Sequence, residues 1–183
     1  MRVISGTAGG LRLSAPRLAA ARPTTDRVKE SVFGALGDTP TEAVVLDLYA
    51  GSGALGIEAL SRGADRAVFV ERSRRAVPVI HHNLRTTRLE ACARVQQSSV
   101  HAFLGRPARE APFDLVFVDP PYDAPTAEVE QVLASLAAPG WLVPGATVVV
   151  ERSKTSPPPA LPAAWTVRFE RAYGDTLVLA ARC

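Results

Sequence analysis

The sequence predicts an α/β fold in which helices cover both faces of a mostly parallel sheet. Short apolar runs alternate with segments of helical periodicity along most of the chain, and this alternation is typical of βαβ units. One apolar run leads into a glycine-rich loop at 51–56, and a later run ends in Asp-Pro-Pro-Tyr at 119–122. Both motifs follow predicted strands, and ligands of such sheets bind at the carboxyl ends of the strands.

The first elements are expected to be a small hairpin and a helix. Residues 3–5 and 11–13 flank a turn, 6–10, that contains three glycines, and this arrangement predicts a β-hairpin. A helix capped within residues 24–26 is expected next, with Gly37 just beyond its end. Its apolar face is formed by Val28, Val32, Phe33 and Leu36.

The rest of the chain is expected to alternate between strands and helices. The predicted strands are 43–48, 67–71, 93–97, 114–118 and 146–151. The predicted helices are 54–62, 74–86, 100–105 and 126–137. Residues 165–171 and 175–181 flank Gly174 and predict a closing hairpin. There is no internal repeat, so we expect effectively a single domain.

The glycine-rich loop predicts a nucleoside cofactor. Gly51, Gly53 and Gly56 permit a tight turn and close backbone approach at the start of a helix, where N–H groups are unpaired. Glu71 ends the next predicted strand, twenty residues after Gly51, and an acid at this position hydrogen-bonds a ribose diol. The loop and the acid suit either a dinucleotide or S-adenosylmethionine and do not distinguish between them.

The segment 119–122 predicts a site for a planar substrate that carries an amino group. Its two prolines exclude both a helix and ladder pairing, so the chain leaves the strand extended. Asp119, the carbonyl oxygen of Pro120 and the ring of Tyr122 are thereby placed at the sheet edge. A hydride-transfer enzyme has no evident use for these groups, so the segment favours S-adenosylmethionine. The alternative is a Pro-Pro turn in which Tyr122 only packs.

Composition predicts one domain with a substantial core, because 47% of the 183 residues are hydrophobic. No stretch approaches the ~20 apolar residues of a membrane span, and no apolar signal region precedes the first strand, so we expect a cytoplasmic protein. Cys92 and Cys183 are too few for a disulfide framework, and no Cys/His spacing indicates a metal site. Cys92 is expected to be a small core residue.

Positive charge is concentrated at the front of the chain. Residues 1–35 contain six basic and two acidic residues, a net charge of +4, whereas the whole chain carries +3. A basic front end on a nearly neutral body suits a polyanionic substrate such as nucleic acid. Coding bias toward arginine is the alternative explanation, although it does not account for the concentration at one end.

The chain resembles the RsmD family, bacterial methyltransferases that modify the exocyclic N2 of one guanine in 16S ribosomal RNA. The resemblance runs almost from end to end and is carried by residues 2–6, 22–30, 47–62, 116–122 and 140–142. It implies a Rossmann-like class I S-adenosylmethionine-dependent methyltransferase fold, with seven strands of which the last is antiparallel. It also implies a hairpin extension, 1–23, that docks RNA, and a catalytic domain, 24–183.

The resemblance further implies the roles of individual residues. The cofactor is expected to contact Thr25, Asp47, Tyr49, Gly51, Ser52, Gly53, Glu71, Ser99 and Val100. From the concentration of positive charge at the front of the chain, RNA is expected to contact Arg2, Arg12, Arg22 and Arg27. The catalytic group consists of Asp119, Pro120 and Tyr122, without a metal. The expected partner is 16S ribosomal RNA or the small ribosomal subunit, bound by a monomer.

Other functions stay open on the sequence alone. Asp-Pro-Pro-Tyr also occurs in adenine-N6 DNA methyltransferases, and a related tetrad occurs in protein glutamine methyltransferases. Both usually carry an additional region for which 183 residues leave little room. A non-catalytic RNA-binding module for ribosome assembly and a dinucleotide-dependent dehydrogenase are the alternatives from other classes.

Overall fold

A seven-stranded sheet forms the centre of the computed structural model, which describes residues 1–16 and 26–183. The strands are β1 (Val44–Leu48), β2 (Arg66–Glu71), β3 (Ala93–Gln97), β4 (Phe113–Val118), β5 (Leu142–Ser153), β6 (Thr166–Tyr173) and β7 (Thr176–Arg182). Their order across the sheet is β3-β2-β1-β4-β5-β7-β6. Strands β1 to β5 pair in parallel, whereas β7 is antiparallel to both β5 and β6. The predicted fold class, a Rossmann-like and mostly parallel sheet, is confirmed.

Helices cover both faces of this sheet. They are α1 (Asp26–Leu36), α2 (Ala54–Ser61), α3 (Val77–Thr87), α4 (Val100–Leu104) and α5 (Thr126–Leu136). Apolar residues of α1, α2 and α3 join one core cluster, and those of α4 and α5 join another. No helix within the described residues is long and apolar enough to cross a membrane.

Successive residues of the central strands face opposite cores. Val45 belongs to the first cluster and Leu46 to the second, which explains why these strands appear in the sequence as continuous apolar runs. Leu48 is in register with Val70 on one neighbour and with Val118 on the other. The residues that follow β1, β2 and β4 therefore meet at one edge of the sheet.

Two sequence predictions are wrong in detail. Helix α3 begins at Val77 rather than at residue 74, because the hydroxyl of Ser73 accepts hydrogen bonds from the N–H groups of Arg75 and Ala76 and forms a turn. Cys92 is exposed rather than buried, because it lies in a short 3-10 turn that leads from α3 into β3 at the sheet edge.

The expected hairpin at the start of the chain is reduced to one antiparallel bridge, between Arg2 and Arg12. Its turn is bonded to α2 instead, since the N–H of Thr7 donates to the carbonyl oxygen of Ser61 at 2.8 Å. Gly6 has a φ of +82°, and a Cβ there would lie 1.7 Å from the same carbonyl oxygen. Only glycine permits this close approach.

A buried carboxylate holds the same segment against α2. Glu58 accepts hydrogen bonds from the N–H groups of Ile4 at 2.7 Å and Ser5 at 3.1 Å. Lys29 Nζ lies 3.4 Å from one oxygen of Glu58, and Arg62 Nε lies 2.8 Å from the other. Burial lowers the pKa of Lys29, and the neighbouring Glu58 carboxylate opposes that shift. The first residues are thus tied to the main core by a network of buried charges.

Candidate active site

A pocket of about 410 Å³ opens at the carboxyl ends of β1, β2 and β4. Small-molecule sites span about 300–1,000 Å³. Most of the predicted cofactor-binding and catalytic residues line it: Asp47, Tyr49, Gly51, Ser52, Glu71, Ser99, Val100, Asp119, Pro120 and Tyr122. The glycine-rich loop and the Asp-Pro-Pro-Tyr segment therefore share one cavity.

The other predicted site residues are not part of the pocket wall. Gly53 lies behind it at the start of α2, where apolar side chains come within 3.3 Å of the position of a Cβ. Three of the predicted RNA-binding residues lie on the exposed surface away from the pocket, namely Arg2, Arg12 and Arg27. The predictions for Arg22 and Thr25 lie outside the described residues.

Left-handed backbone folds the loop between β1 and α2. Tyr49, Gly51 and Gly53 have φ values of 60°, 57° and 78°. A Cβ at Gly56 would lie 2.4 Å from the ring of Phe69, so this third glycine lets α2 pack directly on β2. Of these three residues, only Tyr49 has a side chain, so only there is the left-handed backbone sterically unfavourable. Such strain tends to be retained at functional sites.

Glu71 is fixed at the end of β2 by two backbone donors. Its Oε2 accepts a hydrogen bond from the N–H of Gly51 at 2.8 Å, and its Oε1 accepts one from the N–H of Ser73 at 2.7 Å. The side chain is nearly buried but remains in the pocket wall. The acid and the glycine-rich loop, twenty residues apart, are therefore joined directly.

Asp47 places a second carboxylate beneath the loop. It is buried, and its Oδ2 accepts a hydrogen bond from the N–H of Gly56 at 2.9 Å. Burial raises the pKa of Asp47 well above its usual value, and the charges of Asp119 and Glu71 raise it further, against the effect of the Gly56 hydrogen bond. Together with Glu128 of α5, Asp47, Glu71 and Asp119 place four carboxyl groups in the wall of one cavity, and their combined field favours a cationic ligand.

The segment after β4 holds its functional groups at the other side of the pocket. The hydroxyl of Tyr122 lies 2.8 Å from that of Thr176 on β7, which sets the orientation of the ring. Arg152, buried on β5, donates to the carbonyl oxygen of Ala124 at 2.9 Å and braces the following turn. Nothing in the sequence marks Arg152 as a buried residue, so this contact could not be predicted.

Residues from the start of the chain also line the pocket, which the sequence analysis did not foresee. Met1, Ala15 and Pro16 form part of the wall. Asn83 of α3, fully buried, donates to the carbonyl oxygens of both Ser14 and Ser52 at 2.9 Å and accepts from the Ser14 N–H at 2.8 Å. The start of the chain therefore forms part of the pocket, because these bonds hold Ser14 against the glycine-rich loop.

Comparison with known proteins places this site in a family. The chain matches the family model described as "Conserved hypothetical protein 95" over residues 1–182. It is 37% identical to the ribosomal RNA small subunit methyltransferase D of Escherichia coli strain K12 over 175 residues, which cover 96% of this chain and 86% of that protein. The chain belongs to the RsmD family of methyltransferases.

Two further relatives agree with membership of the RsmD family. The putative rRNA methyltransferase YlbH of Bacillus subtilis is 46% identical over 123 residues, 67% of each chain. The solved structure of the putative methyltransferase yhhF from Escherichia coli shares the fold with a TM-score of 0.88 and 36% identity, over 100% of this chain and 97% of that one. The predicted class I methyltransferase architecture is therefore confirmed.

Proposed function

We propose that this protein transfers the methyl group of S-adenosylmethionine to the exocyclic N2 of a guanine in the 16S ribosomal RNA of the small subunit. The observation that carries the proposal is that Asp119, Pro120 and Tyr122 line the same cavity as Asp47 and Glu71. An amine-binding segment and a nucleoside-binding loop therefore face each other. The name of the Escherichia coli relative supports ribosomal RNA of the small subunit as the substrate, and the name of the Bacillus subtilis relative supports ribosomal RNA.

The pocket suits the chemistry of S-adenosylmethionine. Glu71 would accept hydrogen bonds from the ribose hydroxyls, and Asp47 with the loop at 51–52 would hold the methionine half. The burial of Asp47 makes its ionised form unfavourable without a ligand, and a cation beside it restores the charge balance. When bound, S-adenosylmethionine supplies an electrophilic methyl group on a sulfonium centre.

The residues after β4 would prepare the target amine. The lone pair of guanine N2 is delocalised into the ring, so the amine is a weak nucleophile. The Asp119 carboxylate and the Pro120 carbonyl oxygen would accept hydrogen bonds from its two N–H groups and favour a tetrahedral nitrogen, while Tyr122 would stack on the base. Well-oriented groups lower a barrier by up to about 7–11 kcal/mol, so alignment supplies much of the rate. A base splayed out of an RNA loop reaches such a site.

The front of the chain is proposed to dock the RNA. Residues 1–23 serve as the docking extension and residues 24–183 as the catalytic domain. The side chains of Arg2, Arg12 and Arg27 are exposed on this extension and on α1, where phosphates can reach them. The protein acts as a cytoplasmic monomer without a metal ion.

Replacing Asp47 with asparagine should weaken S-adenosylmethionine binding without lowering the stability of the ligand-free protein. Asn retains an acceptor for the Gly56 N–H but removes the buried charge, so the free energy of unfolding without ligand should stay equal or rise by about 1 kcal/mol at neutral pH. S-adenosylmethionine binding should weaken by about 1.5–3 kcal/mol, because a charged partner is lost. Urea denaturation and calorimetry measure the two effects.

The pH dependence provides a control for the same variant. The pKa of Asp47 is raised in the folded state, so the wild type loses stability as pH rises above the ordinary value of 3.8. The Asp47→Asn variant should lack this pH-dependent loss of stability. The control variant Asp65→Asn, which alters an exposed carboxylate, should show the same pH dependence as the wild type. Equal loss of stability in both variants at neutral pH would contradict the prediction.

The triple substitution of Arg2, Arg12 and Arg27 by alanine should weaken binding to the small subunit. Each lost phosphate contact should reduce the slope of log affinity against log salt by about 0.7–0.9. Affinity for S-adenosylmethionine should not change, because the three side chains do not line the pocket. The matched control replaces Arg94 of β3 and Arg106 and Arg109 of the segment before β4, which are likewise exposed and do not line the pocket. Equal effects of both triple variants would exclude a specific docking surface.

Mapping the methylated nucleotide tests the function itself. Ribosomal RNA from cells with and without the protein is compared by mass spectrometry, and purified 16S ribosomal RNA and small subunits are methylated in vitro. We expect one N2-methylguanine that depends on the protein. Methylation of an adenine N6, or no change in the RNA, would overturn the proposed substrate.

A further inference from the structure

An oriented carboxylate in the pocket wall has no role in the function described so far. Glu128 lies in the first turn of α5, and its side chain is 35% exposed. The hydroxyl of Tyr49 donates to its Oε1 at 3.3 Å, and His101 Nε2 lies 3.7 Å from the same oxygen. The second oxygen, Oε2, has no partner among residues 1–16 and 26–183. One oxygen is thus held while the other is available to a ligand.

The contacts of Glu128 show which half of the pocket it faces. The hydroxyl of Tyr122 is hydrogen-bonded to that of Thr176 on β7. Tyr122 therefore lies in the half of the pocket toward β5 and β7, where the target base is expected. Glu128 reaches the opposite way, to Tyr49 at the end of β1 and to His101 on the helix that follows β3. Its carboxylate therefore faces the nucleoside half of the cofactor site.

The loop after β3 offers no acidic side chain to the nucleoside half of the pocket. The Ser99 hydroxyl caps α4 by accepting from the N–H of Ala102 at 3.2 Å. The Ser98 hydroxyl donates to the Ser99 carbonyl oxygen at 3.0 Å. Residues 97–100 include no acid, and Glu71 is assigned to the ribose. The exocyclic amine of adenine, a donor, still requires a partner.

We propose that Glu128 binds the exocyclic amino group of the cofactor's adenine through Oε2 and sets the preference for adenine over other purines. This inference rests on S-adenosylmethionine as the cofactor. Tyr49 positions the carboxylate from the other side. Burial raises the pKa of Tyr49 strongly, and the Glu128 carboxylate adds to the shift, so the hydroxyl stays a donor at neutral pH. The strained left-handed backbone of Tyr49 brings this hydroxyl to Glu128.

Calorimetry with two ligands tests the proposal. One is S-adenosylhomocysteine, and the other is its analogue with purine in place of adenine, which lacks only the amino group. Glu128→Ala should weaken S-adenosylhomocysteine binding about tenfold, as expected for a hydrogen bond to a charged group that is partly exposed. Binding of the purine analogue should change less than twofold.

The matched control is Glu130→Ala, which removes the same charge two residues further along α5. Glu130 accepts from the N–H of Ala160 and does not line the pocket, so both affinities should stay at the wild-type values. Equal weakening of both ligands by Glu128→Ala would show a purely structural role and overturn the proposal. Unchanged affinities with slower RNA methylation would also overturn it, because Glu128 would then serve the target base.

The same titrations separate this inference from the proposed function. If the wild type binds S-adenosylhomocysteine but does not discriminate against the purine analogue, only the role of Glu128 fails. If the wild type binds neither ligand, the cofactor assignment fails as well. Thermal denaturation of each variant confirms folding, which is expected because Glu128 lies partly exposed at the start of a helix.

Discussion

Replacing Asp119 with alanine should reduce the rate of methyl transfer by about 10²–10³, the usual effect of removing one preorganised polar group from an active site. Asp119 directly follows β4, beside Pro120 and Tyr122, where the target amine needs an acceptor. S-adenosylmethionine affinity should stay within about threefold of the wild type, because Glu71 and the glycine-rich loop are unchanged. Single-turnover methylation of small subunits measures the rate, and calorimetry measures the affinity.

Two variants sharpen this test. Asp119→Asn retains one acceptor oxygen without the charge and should fall between the wild type and alanine. Asp123→Ala removes an exposed carboxylate four residues away that does not line the pocket, and it should transfer methyl groups at the normal rate. Turnover of Asp119→Ala within a few-fold of the wild type would exclude Asp119 from catalysis.

Replacing Glu58 with alanine should lower the free energy of unfolding by about 3–5 kcal/mol, because it leaves a buried ammonium without its counter-charge. Lys29 and Glu58 both have fully buried side chains. The same change removes the acceptor of the Ile4 and Ser5 N–H groups, so the first residues should detach from α2. Urea denaturation measures the loss, and hydrogen exchange locates it.

A double variant shows whether the uncompensated charge of Lys29 causes the loss of stability in Glu58→Ala. Lys29→Met combined with Glu58→Gln leaves no buried charge at the pair and should recover a large part of the lost stability. Glu110→Ala, which breaks the partly exposed ion pair with Arg94, should cost about 0–1 kcal/mol. If Glu58→Ala is as mild as Glu110→Ala, the buried network does not hold the segment.

The residues whose position at the pocket could be predicted from the sequence are those that depend on strand ends alone. Glu71 and Asp119 each follow a continuous apolar run, and in a parallel sheet such ends meet at one edge whatever the helices do. Tyr49 and the loop at 51–56 follow the same rule. This is why two motifs about seventy residues apart could be assigned to one site.

The residues that the sequence analysis missed depend on tertiary packing. The pocket is reached by Glu128, and supported by Asn83, only because α5 and α3 pack on the sheet in one particular rotation. The position of Arg152 depends on the pairing register of β5. Spacing along the chain does not determine that rotation, and a buried Asn or Arg looks like a surface residue in the sequence. The packing of the first residues on α2 also requires the close approach at Gly6, and in the sequence this glycine-rich turn resembles that of any hairpin.

The hydrogen bonds of Asn83 have a consequence for thermodynamic linkage. One amide holds both Ser14, in the segment proposed to dock RNA, and Ser52, in the loop proposed to hold the cofactor. Neither segment can open without releasing that amide, so the two should behave as one cooperative unit. Any ligand that orders one segment lowers the entropy loss of ordering the other, and the effect is reciprocal. Substrate RNA and methyl donor should therefore each tighten the binding of the other.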